Sequence, residues 1–181
     1  MVRSIDYIIK TPRLGLRPWT LDDLDIMSQI NADEKVMAYF PGTRSISDTK
    51  AFIRSQQLAQ AMGGYCFFAA EELASQTLIG FIGILTINFE VAFAPGVEIG
   101  WRLGFNHWGK GYATEGAKGV LDFAFEQKHI PEIWSFTTAA NRRSERVMKK
   151  IGMISKGTFE HPLIEEGHPL RPHVLYHIAR P

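Results

Sequence analysis

Cysteine is almost missing from this 181-residue chain: Cys66 stands alone, so no internal disulfide can form. It lies in the apolar run YCFFAA and reads as a small core residue rather than a nucleophile. Net charge is almost missing too. Twenty Lys and Arg face nineteen Asp and Glu, a balance of +1 that lacks the electrostatic footprint of a nucleic-acid binder. The opening stretch, MVRSIDYIIKT, has no apolar block of the signal-peptide kind, and no apolar run approaches the length of a membrane span. Internal repeats, low-complexity tracts and linkers are also lacking. These absences lead to the expectation of one cytoplasmic domain over residues 1–181, with no direct nucleic-acid binding and no membrane partner. An apolar share of 45% is enough for a substantial core and argues against disorder.

Residues 13–18, RLGLRP, alternate and predict a strand. Thr20 with Asp23 three residues on is a variant capping box that opens a helix to about Asn31. A second helix fits Ser47 to Met62, closed by Gly63-Gly64. Strand-like runs follow at Tyr65–Ala70, Leu78–Ile87 and Val97–Leu103. The turn at Ala94-Pro95-Gly96 predicts that the last two pair antiparallel. Ala113, Ala117, Val120, Leu121, Ala124 and Phe125 recur at helical spacing, and Ile133–Thr138 reads as a short strand. Asn141 caps a helix to Ile151, ended by Gly152, and the tail predicts strands around Thr158-Phe159 and His173–Ile178. The pattern is α+β: a mixed sheet flanked by helices, with a glycine-rich loop, HWGKGYATEG, at a strand-to-helix junction.

That loop admits three readings. As a P-loop, Gly104 to Lys110 fits G-x-x-x-x-G-K, but Gly111 stands where Ser or Thr must ligate magnesium. As a dinucleotide fingerprint, Gly109-x-Gly111 starts correctly, but Thr114 replaces the third glycine and no leading βαβ unit surrounds it. The third reading keeps the physics and changes the ligand. Glycines let the backbone approach closely, and a helix beginning near Tyr112 offers free N–H groups and a dipole to a diphosphate.

At this point the sequence resembles a family. W-G-K-G-Y-A-T-E-G is similar to the coenzyme A pyrophosphate loop of the GNAT N-acetyltransferases, whose pattern [Q/R]-x-x-G-x-[G/A] is met by Trp108-x-x-Gly111-x-Ala113, with Trp108 departing at the first position. That departure is familiar in the branch that acetylates N-terminal alanines of ribosomal proteins. TPRLGLRPWTLDD resembles that branch's first strand and helix, VEIGWRL its cleft strand, and NRRSERVMKKIGM its N-x-x-S-x-x-V-x-x-K-x-G-F segment, with Met153 in place of Phe. The resemblance implies a layered α/β/α acyl-CoA N-acyltransferase fold with a mixed, mostly antiparallel sheet and a splayed cleft. It implies acetyl-CoA as co-substrate, a primary amine as acceptor, direct transfer without an acyl-enzyme, and action as a monomer or homodimer. The acceptor, a protein N-terminus or a small-molecule amine, is not written in the residues; Val36–Ser45 and the tail are expected to contact it.

On VEIGWRL, Glu98, Gly100 and Arg102 share one strand face, and Val97, Ile99, Trp101 and Leu103 the other. Glu98 and Arg102 stand about 13 Å apart along the strand and cannot simply pair. A carboxylate beside a missing side chain suits a cleft that a thin pantetheine arm crosses. The resemblance places a base, acting directly or through water, at or near Glu98; the plainer reading is a half-buried Glu that meets some Lys or Arg, and Glu90 is the reserve. It further implies pantetheine contacts from Ile99, Gly100 and Trp101. Diphosphate contacts fall to Gly109, Lys110, Gly111, Tyr112, Ala113 and Thr114. Asn141 would contact the coenzyme and Ser144 would lie near its sulfur, although Asn141 is also a good helix cap and Ser144 an ordinary first-turn residue. Trp101 and Trp108 read as packing residues. Arg142, Arg143, Arg146, Lys149 and Lys150 form a solvated basic face, one or two of which can reach the coenzyme's 3′-phosphate. His161, His168, His173 and His177 lack metal spacing, so no metal is expected. The rival reading is a non-catalytic acyl-CoA-binding module, which would keep the loop and dispense with Glu98 and Ser144.

Overall fold

The computed structural model describes residues 6–181. Its strands are β1 (Ile9–Lys10), β2 (Leu14–Arg17), β3 (Phe67–Glu72), β4 (Thr77–Thr86), β5 (Val97–Leu103), β6 (Glu132–Thr138), β7 (Ile154–Glu160) and β8 (Pro172–Ala179). Its helices are α1 (Leu24–Ala32), α2 (Glu34–Met37), α3 (Ile46–Gly63), α4 (Tyr112–Asp122, prolonged by a π-type turn at Phe123–Gln127) and α5 (Arg142–Lys150). One sheet runs β1-β2-β3-β4-β5-β6-β8-β7. Every neighbouring pair is antiparallel except β5 with β6. Among the described residues, no helix is long and apolar enough to cross a membrane.

Local chemistry sets the helix ends. Ser45 and Asp48 form a reciprocal capping box at the start of α3, and Gly64 closes it at φ 72°, a left-handed conformation that glycine takes without strain. Thr20 and Asp23 form the other box, at a 3-10 turn over Leu21–Asp23 that leads into α1. Asp23 has a second task. With Glu71 it brackets Arg17, whose guanidinium lies 2.8 Å from one carboxylate and 2.9 Å from the other.

The sheet separates two apolar layers. On one face α4 presses on β4, so closely that a Cβ at Gly116 would stand 2.4 Å from the Ile82 side chain. On the other face Phe52 of α3 meets Phe81 of β4 at 5.2 Å and Trp19 at 5.7 Å. The β4–β5 register aligns Phe81 with Arg102 and Ile82 with Trp101. Arg102, Gly100 and Glu98 therefore look toward α1 and α3, while Trp101 and Ile99 look toward α4.

Several sequence expectations shift. β3 begins at Phe67 rather than Tyr65, because the chain is still leaving the α3 cap. Leu14, Gly15 and Leu16 are all buried, so β2 is covered on both faces instead of alternating. β7 spans seven residues rather than two, and α2 was not anticipated. Cys66 is fully buried, and burial pushes its thiol up to about 12, as a core residue requires.

Candidate active site

Strands β5 and β6 run parallel and share a single register pair, Glu98 with Trp134. Beyond that pair they part, leaving one edge of β5 from Ile99 onward without a neighbouring strand. Ser135 bridges the start of the gap by donating to the Ile99 carbonyl at 3.0 Å. The opening leads into a cavity of about 600 Å³ reached by β5, the glycine loop, β6, the start of α5, residues 36–44 and the tail from His161.

The loop enters this cavity as a preformed cradle. Gly109 and Gly111 have φ of 75° and 83°, both left-handed. Gly109, Gly111, Tyr112, Ala113 and Thr114 line the cavity. The first N–H groups of a helix have no intrahelical acceptor, so α4 presents donors and the positive end of its dipole at that wall. Lys110 does not line the cavity; its carbonyl instead accepts from Arg13 Nη1 at 3.0 Å. Trp108 pins the loop from within, donating its indole N–H to the Leu103 carbonyl at 2.8 Å, and it also lines the cavity.

Glu98 sits on the cavity wall where the strands part. It is half-buried, hemmed in by protein yet open to the cleft, and among the described residues its carboxylate makes no hydrogen bond or ion pair. Burial pushes its carboxyl up to about 7. The Lys or Arg partner of the plainer reading is not there. Glu90, the reserve, is exposed and borders a separate shallow hollow at Ile87–Pro95.

Asn141 and Ser144 also reach the cavity, as one unit. The Asn141 side-chain oxygen Oδ1 caps α5 by accepting from the Ser144 N–H at 3.2 Å. Its amide nitrogen donates to Thr137 Oγ1 and to Ser144 Oγ, each at 3.1 Å. Ser144 Oγ is thus used as an acceptor, and its own O–H has no protein acceptor among the described residues. Arg143, Arg146 and Lys150 of the basic helix line the cavity, whereas Arg142 and Lys149 bind Glu145 instead.

Gly100 lines the cavity. A Cβ there would meet the Phe67 ring at 3.1 Å, so the missing side chain makes room for an aromatic floor. Ile99 and Trp101 line the cavity beside it. The tail histidines do not converge on an ion. His161 and His173 meet at 4.8 Å with tilted rings, within an aromatic group that includes Phe136 and Phe159. Burial, then His173, presses His161 down to about 4, and burial lowers His173 as well. His177 instead bonds Glu132 at 2.9 Å. Among the described residues no three His, Cys, Asp or Glu side chains gather as a metal would need.

Sequence reasoning missed the clamp behind the loop. Glu115 accepts from Thr11 Oγ1 at 2.7 Å, from the Arg13 N–H at 2.8 Å and from Arg13 Nε at 2.6 Å. Arg13 also lies 4.6 Å from the Tyr112 ring centroid, and Tyr112 donates its hydroxyl to Glu72. Glu115 stands 104 residues from Thr11 and 102 from Arg13, and Tyr112 40 from Glu72, so no local pattern joins them. It also missed Arg102 as a cavity residue.

The sequence profile of the acetyltransferase (GNAT) domain matches residues 13–154. The chain is similar to an uncharacterized N-acetyltransferase of Bacillus subtilis, YnaD: 32% identical over 153 residues, 84% of this chain and 85% of that one. Among solved structures it is similar to an acetyltransferase of the GNAT family from Bacillus anthracis, with a TM-score of 0.79, 28% identity, and coverage of 95% and 98% of the two chains. The ribosomal-protein-S5-alanine acetyltransferase of Vibrio fischeri shares the fold, with a TM-score of 0.77 at 15% identity over 97% of each chain.

Proposed function

The chain belongs to the GNAT acetyltransferase family, whose co-substrate is acetyl-CoA, and from that premise we propose that it moves the acetyl group directly to a primary amine, with Glu98 as base. The residues present fit the co-substrate. Two left-handed glycines and the donor end of α4 suit its diphosphate, the cations Arg143, Arg146 and Lys150 border the cavity, and the free edge of β5 suits an amide-bearing arm.

The observation that carries the reading is Glu98: a carboxylate without a partner among the described residues, its ionisation disfavoured by burial, at the point where the strands part. An amine arrives largely protonated and must lose a proton to attack. At pH 7.4 about a quarter of an α-amine is neutral, against about 0.1% of a lysine. Glu98 takes that proton, directly or through one water. The nitrogen lone pair then forms the new C–N bond at the thioester carbon; as the C–S bond breaks, the nitrogen gives up its remaining extra proton, which ends, through water, on the departing sulfur. The departing thiolate, the conjugate base of a thiol of pKa about 8.5, needs only modest help, and in this reading the Ser144 hydroxyl donates a hydrogen bond to it. Backbone N–H groups of Ile99–Trp101 are the candidates to polarise the carbonyl.

The test is thiol release from acetyl-CoA with a panel of amines, coupled to mass analysis. Release that requires an amine, with an acetylated amine as product, is expected. Acetylated protein formed without amine would mean an acyl-enzyme. Acetyl-CoA binding with no release on any amine would mean a binding module.

A further inference from the structure

Besides Glu98, the cleft holds a half-buried charged side chain without a counter-charge among the described residues. Arg102 lies four residues along β5 on the same face. Its Nη1 donates to the Asn31 amide oxygen at 2.8 Å. Its guanidinium stacks 4.2 Å from the Phe40 centroid and 5.3 Å from that of Phe81. Its Nε–H is buried with no acceptor. Among the described residues no carboxylate pairs with it. The charge that acts on it is another cation, Arg44, which lines the same cavity. Burial first and Arg44 second press the Arg102 guanidinium down to about 10. Arg44 also acts on Asp48, but that carboxylate is committed to the Ser45 cap.

The guanidinium is held in advance. Thr49 Oγ1 donates to the Ser45 carbonyl at 3.0 Å and accepts from the Asn31 amide nitrogen at 3.0 Å, which turns the Asn31 oxygen toward Arg102. Two aromatic faces and one amide compensate a buried cation only in part, and a buried donor left unpaired is costly. Arg102 projects toward α1 and α3, across the strand from α4, so it stands on the opposite face from the diphosphate cradle.

We propose that the acceptor carries an anionic group, carboxylate or phosphate, at the end remote from its amine, and that Arg102 with Arg44 receives it while the amine reaches Glu98. The two sites stand about 13 Å apart at the backbone. Phe67 lies over Gly100 between them and stacks on Phe81 at 5.2 Å, so the middle of the acceptor rests on an aromatic floor and is apolar. A polyamine would bring a cation to two arginines. The proposal rests on the transferase reading for the amine end only.

The test uses ω-amino carboxylates of increasing chain length, aminoalkyl phosphates, their matched neutral amides, and diamines. A longer acid or phosphate should exceed its amide by about 10- to 100-fold in kcat/KM, the span of a charge-assisted hydrogen bond, with diamines poorer still. Arg102→Gln should collapse that preference to within a few-fold, mainly through KM, and Arg102→Lys should restore part of it. Equal use of acids and amides by the wild type overturns the proposal. So does an Arg102→Gln loss equal for both, which is the mark of a strut between β5 and α1. Calorimetry of the N-acetylated acids and amides in the presence of coenzyme A reads the anion site without turnover. Equal binding of the two overturns the proposal; Arg102-dependent preference for the acid without any turnover keeps it and sinks the transferase reading instead.

Discussion

Glu98 is the residue whose ionisation the protein resists, and that resistance is measurable in two ways. Glu98→Gln should leave acetyl-CoA affinity in place and lower turnover by about 10²–10⁴. Wild-type turnover should climb with pH through about 7, where Glu98 ionises, and the variant should lack that limb. Stability follows the same group. Its folded pKa lies above the unfolded value of 4.5, so the stabilisation is fully present below about 4.5 and is lost as pH rises through about 7. Glu98→Gln should therefore match the wild type in denaturation at pH 4.5 and exceed it at pH 8; a gap that does not widen with pH removes Glu98 from the role. Ser144 is the milder case. Its backbone N–H, which Asn141 caps, survives in Ser144→Ala, and Asn141 keeps Thr137 as acceptor. Stability should change by less than about 1 kcal/mol. Turnover should fall near the low end of the roughly 10²-fold range, with binding spared because the sulfur charge arises late. Lost stability with unchanged turnover per folded molecule would return Ser144 to the helix start.

The glycine loop and α4 act as one element. Gly111 sits at φ 83°, and a side chain there would also approach Arg13 Nη2 at 3.4 Å. A β-branched residue adds about 1–2 kcal/mol of left-handed strain and obstructs the approach to the N-terminus of α4. Gly111→Val should abolish the thermal shift given by acetyl-CoA; a variant that keeps the full shift would move the diphosphate elsewhere. The loop was legible because glycine and helix-start chemistry are local. The same holds for the Asn141 cap and for β5, whose Val97–Leu103 bounds the alternation gave directly. β7 was mostly hidden because it is an edge strand exposed along most of its length, with no apolar period to read. Arg13 and Glu115 were hidden because the contact that joins them is tertiary. Gly100 was noticed, but the Phe67 ring beside it was not, since only the packed structure shows that neighbour.

For the molecule as a whole, the ligand should bind the folded state alone. Acetyl-CoA at about 100 times its dissociation constant should add roughly 2.7 kcal/mol, a rise in Tm of about 5–11 °C for a chain of this size. Magnesium-ATP should produce none of it. A shift with magnesium-ATP and none with acetyl-CoA would reinstate the P-loop reading.

The lone register pair between β5 and β6 also gives the cleft a mechanics. Five strands lie on one side of it and three on the other, so it is the natural fulcrum for any rocking of the two plates. The far end of β5 is a lever about 17 Å long, and a turn of about 5° there would sweep roughly 1.5 Å at the mouth. Glu98 stands on the axis, where the sweep is close to zero. Rocking about that axis would widen the mouth for a bulky co-substrate while Glu98, the proposed base, kept its place.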